Sequence, residues 1–234
     1  VDNCDTSVSL SLDITSFDCS KLGANTVTLT VTDDAGNVAS ATATVTVIDN
    51  IKPVITASGD QTVSNDTGVC GANVTVVSAT ASDNCLPMSN TPTGVRSDSL
   101  LLSDVYPVGT TTITWTVDDN SGNTASTTQT VTVNDTEKPL VTSSGDQTVS
   151  NDLGKCGALV TVSATAADNC LPMSNTPSGV RSDSPLTLSD EYPLGTTTIT
   201  WTVTDNNGNT ASTTQTVTVN DTEKPTAIAQ NKTV

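Results

Sequence analysis

The residues able to do chemistry in this sequence are six cysteines and 25 acidic side chains, and histidine is absent. Without histidine, Ser-His and Cys-His nucleophile arrangements and His-ligated metal catalysis are excluded. The cysteines fall in pairs along the chain, Cys4 with Cys19, Cys70 with Cys85 and Cys156 with Cys170, at spacings of 15, 15 and 14 positions. An even count at a recurring spacing, with no Cys-x-x-Cys, predicts a disulfide framework formed in an oxidising compartment, one bridge per repeat. Oxidised cysteines cannot act as nucleophiles. Catalysis would then fall to carboxylates, and the pairs Asp33/Asp34 and Asp118/Asp119 give way to Thr204-Asp205 at the third equivalent position. No catalytic dyad is repeated, and the chain reads as a non-enzyme.

The acidic residues support a turn reading and a metal reading. Thr32 to Asn37, Asp118 to Asn123 and Thr204 to Asn209 each end in Gly-Asn, as a hairpin turn with positive φ requires. The sharper reading is calcium. Asp119 and Asp205 sit in those turns, Asp83 and Asp168 in an Asp-Asn-Cys loop, and Asp49, Asp135 and Glu137 in the segments that enter each repeat. In an immunoglobulin-like unit these three places converge at one domain junction, where oxygen ligands from both sides could hold a Ca²⁺ ion.

The elements that must position these residues come from internal repetition. Ser58 to Asp66 recurs at Ser144 to Asp152, Cys85 to Pro92 at Cys170 to Pro177, and Asn123 to Pro139 at Asn209 to Pro225. Pro53, Pro139 and Pro225 are each 86 residues apart, the size of one immunoglobulin-like sandwich. The expected organisation is the C-terminal part of one unit in 1–52, complete units in 53–138 and 139–224, and the first strand of another in 225–234. Thr111 to Val117 and Thr124 to Val133 alternate apolar and hydroxylated residues with period two, the signature of half-buried strands. No helical apolar spacing appears. Only 34% of residues are apolar and 2% aromatic, so the cores are thin, with Trp115, Trp201, Tyr106 and Tyr192 at their centres. The fold class is all-β: tandem immunoglobulin-like β-sandwiches in an elongated rod.

A Lys-Pro entry, a first Cys before a strand, Asp-Asn-Cys-Leu-Pro, Tyr-Pro-x-Gly-Thr-Thr-Thr-Ile-Thr-Trp and a Val-x-Asp-x-x-Gly-Asn turn together resemble the hyalin repeat, or HYR, domain over 53–138 and 139–224. The resemblance implies an extracellular sandwich associated with adhesion, carried by Cys70, Cys85, Tyr106, Pro107, Gly109, Trp115, Asp119, Gly122 and Asn123. Its second copy is carried by Cys156, Cys170, Tyr192, Pro193, Gly195, Trp201, Asp205, Gly208 and Asn209. Residues 1–52 and the tail Thr226 to Val234 resemble a sister immunoglobulin-like module of giant bacterial surface proteins, and the near-identity of the copies suggests a bacterial source. The linker Val133 to Pro139 resembles that of cadherins, in which acidic residues before a proline bind calcium.

A net charge of −17 with eight Lys and Arg argues against nucleic acid or an anionic membrane as partner. No apolar run reaches the length of a membrane span, so no membrane insertion is expected in this segment. Sequons occur at Asn65, Asn73, Asn134, Asn220 and Asn231, without placing a glycan. The expected function is a structural or adhesive stalk at a cell surface or in a secreted filament, stiffened by disulfides and calcium. Its expected partners are neighbouring repeats or like subunits, with a glycan among its candidate targets. A carbohydrate-binding accessory module of a secreted enzyme, and a fibre subunit joined by donor-strand exchange, are the alternatives.

Overall fold

In a computed structural model, residues 7–85, 91–171 and 175–230 are described. They hold strands, one short 3₁₀ turn at Cys19–Lys21 and no α-helix. They form two compact units. One comprises residues 1–61, 74–104 and 110–131; the other comprises 62–73, 105–109 and 132–234.

In the first unit, Ser9–Leu12, Gly23–Thr32 and Val38–Val47 form an antiparallel three-stranded sheet. Only Val27 of this sheet is buried, and Leu10 and Val38 are each 64% exposed. Val54–Thr56 pairs with Thr80–Ser82, and Thr93–Arg96 pairs with the Gly109–Asp118 strand in the register Trp115 to Gly94. Ile113, Trp115, Val117 and Val131 fill the interior here.

The second unit contains a full sandwich. One layer has the order Gln147–Ser150, Thr210–Asn220, Gly195–Thr204, Ser178–Arg181. The first pair is parallel and the others antiparallel. The facing layer is made of short pairs, Leu140–Ser143 with Ala164–Ala167 and Gly157–Ala158 with Tyr192–Pro193. Period-two alternation sends Thr197, Ile199, Trp201 and Val203 inward from one strand and Gln215, Val217 and Val219 from the next. These pack against Val141, Ala158 and Tyr192. Gly179 sits opposite Trp201 on the adjacent strand and must lack a side chain, because the indole lies over it: a Cβ there would meet Trp201 Cζ3 at 2.8 Å.

Two buried polar groups complete this core. Gln215 is fully buried; its Oε1 accepts from Trp201 Nε1 at 3.0 Å and its Nε2 donates to Ser144 Oγ at 3.0 Å. Gln129 does the same for Trp115 in the first unit, with Ser58 Oγ. Arg181, 2% exposed, lies 3.8 Å from the Tyr192 ring centroid and donates to the carbonyls of Thr187, Asp190 and Glu191. Its charge is met by Asp183 at 2.8 and 2.6 Å. The hydrogen bonds from Arg181 hold the Asp183 carboxyl below its ordinary value, as those from Arg96 hold Asp98.

Residues 221–230 carry no strand, and 231–234 lie outside the described residues. The equivalent strands Val54–Thr56 and Leu140–Ser143 each pair with a later strand of their own repeat. Among the described residues, the stretch after Pro225 has no such partner.

Gln215 Nε2 also donates to Gly145 O, so replacing Gln215 by Ala leaves the Trp201 N–H and the Ser144 and Gly145 acceptors without their buried partner. It is expected to lower unfolding free energy by about 2–3 kcal/mol, measured by urea denaturation. Asp183→Asn is expected to lower the thermal midpoint at pH 7. A carboxyl with a depressed folded pKa contributes stability above its unfolded value of about 4, lost as pH falls through the lower folded value. The gap between variant and parent should therefore close as the pH is lowered below 4; a gap constant down to pH 2 would contradict the ion pair's role.

Candidate metal centres and disulfide staples

The site at each repeat entry is built on one recurring clasp. Asp205 Oδ1 accepts from the N–H groups of Asn207 and Asn209 at 2.8 Å, and Oδ2 accepts from Asn209 Nδ2 at 2.8 Å. Gly208 completes the turn at φ 95°. Asp119 and Asn123 form the same clasp in the first unit, and Asp33 and Asn37 a third. Burial raises the Asp119 and Asp205 carboxyls, and the bonds from their asparagines outweigh it, leaving both below the ordinary value. These aspartates are thus turn-formers. The asparagine Nδ2 then donates to the entering chain as well, Asn209 to Asp135 O and Asn123 to Asp49 O, each at 3.2 Å.

That contact fixes the entering aspartate beside the Asp-Asn-Cys loop. Asp135 is 7% exposed and Asp49 9%. Ligand atoms of Asp135, Asp168 and Cys170 lie within 4.8 Å of one another, as do those of Asp49, Asp83 and Cys85. Each loop aspartate accepts one backbone bond, Asp168 from Cys170 N–H and Asp83 from Cys85 N–H, both at 2.9 Å. Asp83 Oδ2, Asp135 Oδ2 and Asp168 Oδ2 are buried with no hydrogen-bond partner. Burial raises the Asp135 carboxyl above its ordinary value; Asp168, Asp205 and Glu137 add repulsion against a lowering bond from Glu137 N–H. Buried carboxylate oxygens that face one another and lack a donor fit a hard divalent cation. Both sulfurs are in disulfides, so the carboxylates are the usable ligands.

The remaining acidic candidates are placed differently. Asp119 and Asp205 support the cluster through their asparagines. Glu137 is turned away: its Oε2 accepts from Gly68 N–H at 2.7 Å and Asn65 Nδ2 at 3.5 Å, tying the linker to the loop that precedes Cys70.

The disulfides correct the pairing expected from sequence. Cys19 bonds Cys85 and Cys70 bonds Cys170, with Cα–Cα distances of 5.2 and 4.7 Å. Cys156 is an exposed free thiol, and Cys4 lies outside the described residues. The reason is visible in the second repeat. Asn209, at one end of the Thr210–Asn220 strand, touches the entry linker, whereas Asn220, at the other end, accepts from Asn151 N–H at 3.0 Å. The Cys170 loop belongs to the first end and Cys156 to the second. Eleven strand residues span roughly 35 Å, far beyond the 4.4–6.8 Å of a disulfide. Each bridge therefore joins a cysteine to the Asp-Asn-Cys loop of the next repeat. Asn169 seals this contact by donating to Val69 O at 3.0 Å.

The aromatic candidates are interior. Tyr106 and Tyr192 are fully buried, Trp115 is 1% exposed and Trp201 4%. Sequence reasoning missed Gln129, Gln215, Arg96 and Arg181; their recurrence at the same repeat positions was the available signal.

An HYR domain model matches residues 48–133 and 134–219. The chain belongs to the HYR domain family. Among curated proteins, these HYR repeats are 33% identical to hyalin of Lytechinus variegatus over 200 residues, covering 83% of the chain and 36% of that protein. They are 34% identical to hyalin of Strongylocentrotus purpuratus over 205 residues, covering 85% and 16%. The chain thus spans about a third or less of these relatives. Both are animal proteins, and the bacterial setting expected from the near-identical copies gains no support. Solved structures match loosely. Mouse cadherin-23 EC22-24 gives a TM-score of 0.43 at 13% identity, covering 94% of this chain and 89% of that one. A protocadherin gammaB7 EC3-6 structure gives 0.39 at 17%, covering 88% and 60%. The HYR chain is extracellular, a tandem array of HYR repeats. No helix among the described residues is long and apolar enough to cross a membrane.

Peptide mapping without reduction is expected to recover Cys19 linked to Cys85 and Cys70 linked to Cys170, with neither a Cys70–Cys85 nor a Cys156–Cys170 peptide. Replacing Cys70 and Cys170 together by Ser is expected to lower stability by about 4–5 kcal/mol on loop-closure grounds. Cys156→Ser should change it by no more than about 0.5 kcal/mol.

Proposed function

We propose that this chain is a structural, adhesive stalk segment of a larger extracellular protein, organised as repeats over 53–138 and 139–224 flanked by parts of two others. The two junctions entered through Asp49 and Asp135 are each stapled by a disulfide and clamped by Ca²⁺. The observation that carries this reading is the position of the bridges. Cys85 and Cys170 are each bonded to the preceding repeat, within reach of a buried linker aspartate and a half-buried loop aspartate.

A junction closed in this way resists bending. The disulfide fixes one point, and a cation bridging Asp135 to Asp168, or Asp49 to Asp83, fixes another. Neutralising those carboxylates removes the repulsion that otherwise opposes closure. A semi-rigid array of this kind sets the reach of whatever it carries, and its partners are neighbouring repeats or like subunits. The carbohydrate-docking alternative lacks its usual platform. Of the five aromatic residues, four are interior and Phe17 is 38% exposed.

The test is thermal unfolding of the disulfide-bonded chain in Ca²⁺ and in chelator. Free Ca²⁺ at 100 times its dissociation constant stabilises by about 2.7 kcal/mol per site, so the midpoint is expected to rise. Asp135→Asn should change sign between conditions: it raises the midpoint in chelator, where it relieves repulsion, and lowers it in Ca²⁺, where it removes a ligand. Identical parent midpoints with and without Ca²⁺ would remove calcium from the proposal and leave the disulfide-stapled stalk standing.

A further inference from the structure

The 86-residue period that carries Cys70 onto Cys156 carries a whole socket with it. Beside Cys70, Asn65 N–H donates to Asn134 O at 2.9 Å, Thr136 N–H donates to Asn65 Oδ1 at 3.0 Å, and Gly68 N–H donates to Glu137 Oε2 at 2.7 Å. Beside Cys156 the same framework stands. Asn151 N–H donates to Asn220 O, Thr222 N–H to Asn151 Oδ1, and Gly154 N–H to Glu223 Oε1, each at 3.0 Å.

The two sockets differ in what occupies them. The first holds Asp168-Asn169-Cys170: the cysteine is bonded to Cys70, the asparagine donates to Val69 O, and the aspartate lies beside Asp135. The second opens as a cavity of about 510 Å³ lined by Asn151, Gly154, Cys156, Asp221 and Glu223. Its cysteine is a free, exposed thiol. Asp221 is exposed as well, whereas its counterparts Asp49 and Asp135 are buried. The backbone carbonyl that would receive the asparagine belongs to Lys155, the counterpart of Val69.

We propose that the socket around Cys156 is an acceptor site for the Asp-Asn-Cys loop of a following HYR repeat, whose cysteine bonds Cys156 and whose aspartate comes to lie beside Asp221. The site is pre-shaped, because its hydrogen bonds are already those of the filled socket. Bond formation is thiol–disulfide exchange with an oxidised glutathione-type disulfide. One thiol, as thiolate, attacks that disulfide and expels a glutathione thiolate; the second thiol, as thiolate, displaces the other. One S–S bond is made, the two thiols lose two protons, and two electrons leave on two reduced glutathione molecules. The proposal stands on the repeat geometry and does not require the calcium reading.

The test lengthens the full chain after Pro225 with a second copy of residues 140–224, the copy itself carrying Cys156→Ser, so that it supplies the loop while every Cys156 peptide comes from the original socket. The product is folded in a glutathione redox buffer, alkylated and mapped without reduction. Cys19–Cys85 and Cys70–Cys170 in the same digest report that the array has folded. A tethered loop is present at roughly millimolar effective concentration, so alkylation of Cys156 is expected to fall by about tenfold or more relative to the original chain, with Cys156 recovered bonded to the copied Cys170. In the lengthened chain, Cys156→Ser in the original socket should leave the other two bridges intact and make the copied Cys170 alkylatable. Recovery of Cys156 as a free thiol in the folded lengthened chain, or bonded to any other cysteine, would overturn the proposal. Protection of the copied Cys170 in the C156S variant would overturn it as well.

Discussion

A sheet made of threonine, serine and valine buries little apolar surface per residue, while ordering each residue costs about 1–2 kcal/mol of backbone entropy. The sandwich of the second unit closes on eight buried apolar residues, with smaller side chains around them. That shortage governs the rest. It explains why a glutamine and an arginine with complete sets of partners occupy the interior, where they lock loops that apolar contact alone would leave loose. Such a thin core gains from cross-links, and the two disulfides tie one repeat to the next instead of closing a repeat on itself.

The same economy shapes the electrostatics. With 25 acidic residues and eight basic ones, few carboxylates can find a cation on the chain. Most are spent on backbone and asparagine donors, as in the Asp119 and Asp205 clasps, where the aspartate shapes a turn and its asparagine reaches on to the entering strand. Three aspartates of the junctions, Asp83, Asp135 and Asp168, keep one oxygen apart from such donors. Asp135 and Asp168 face each other with oxygens that no donor satisfies. Under the calcium proposal, an arrangement that costs stability by itself would become favourable once a divalent ion is bound, and the order of the junction would follow the surrounding medium.

How much of this was legible in the sequence depended on whether a feature is local. Period-two alternation in Thr111 to Val117 gave strands, and the Gly-Asn turns gave hairpins. The exact recurrence of Asn123 to Pro139 gave the repeat, because each of these is written in adjacent residues. Asp49, Asp83, Asp135 and Asp168 could be gathered at junctions because linker and loop meet in any such sandwich. The cysteine partners could not be read. Equal spacing along the chain suggested closure within a repeat, but an eleven-residue strand separates the two ends at which Cys156 and Cys170 sit. Gln215 and Arg181 look like surface residues by type, and only their burial beside Trp201 and Tyr192 shows otherwise.

The two bridges overlap along the chain. The loop closed by Cys19 and Cys85 and the loop closed by Cys70 and Cys170 share residues 70–85. Every peptide bond from Cys19 to Cys170 therefore lies inside at least one covalent ring. A protease that cuts once anywhere in that stretch leaves a single molecule, still joined end to end through sulfur. Tension applied along the chain likewise has a second covalent route around any loop that gives way, and the residues inside the rings cannot be drawn out as free slack.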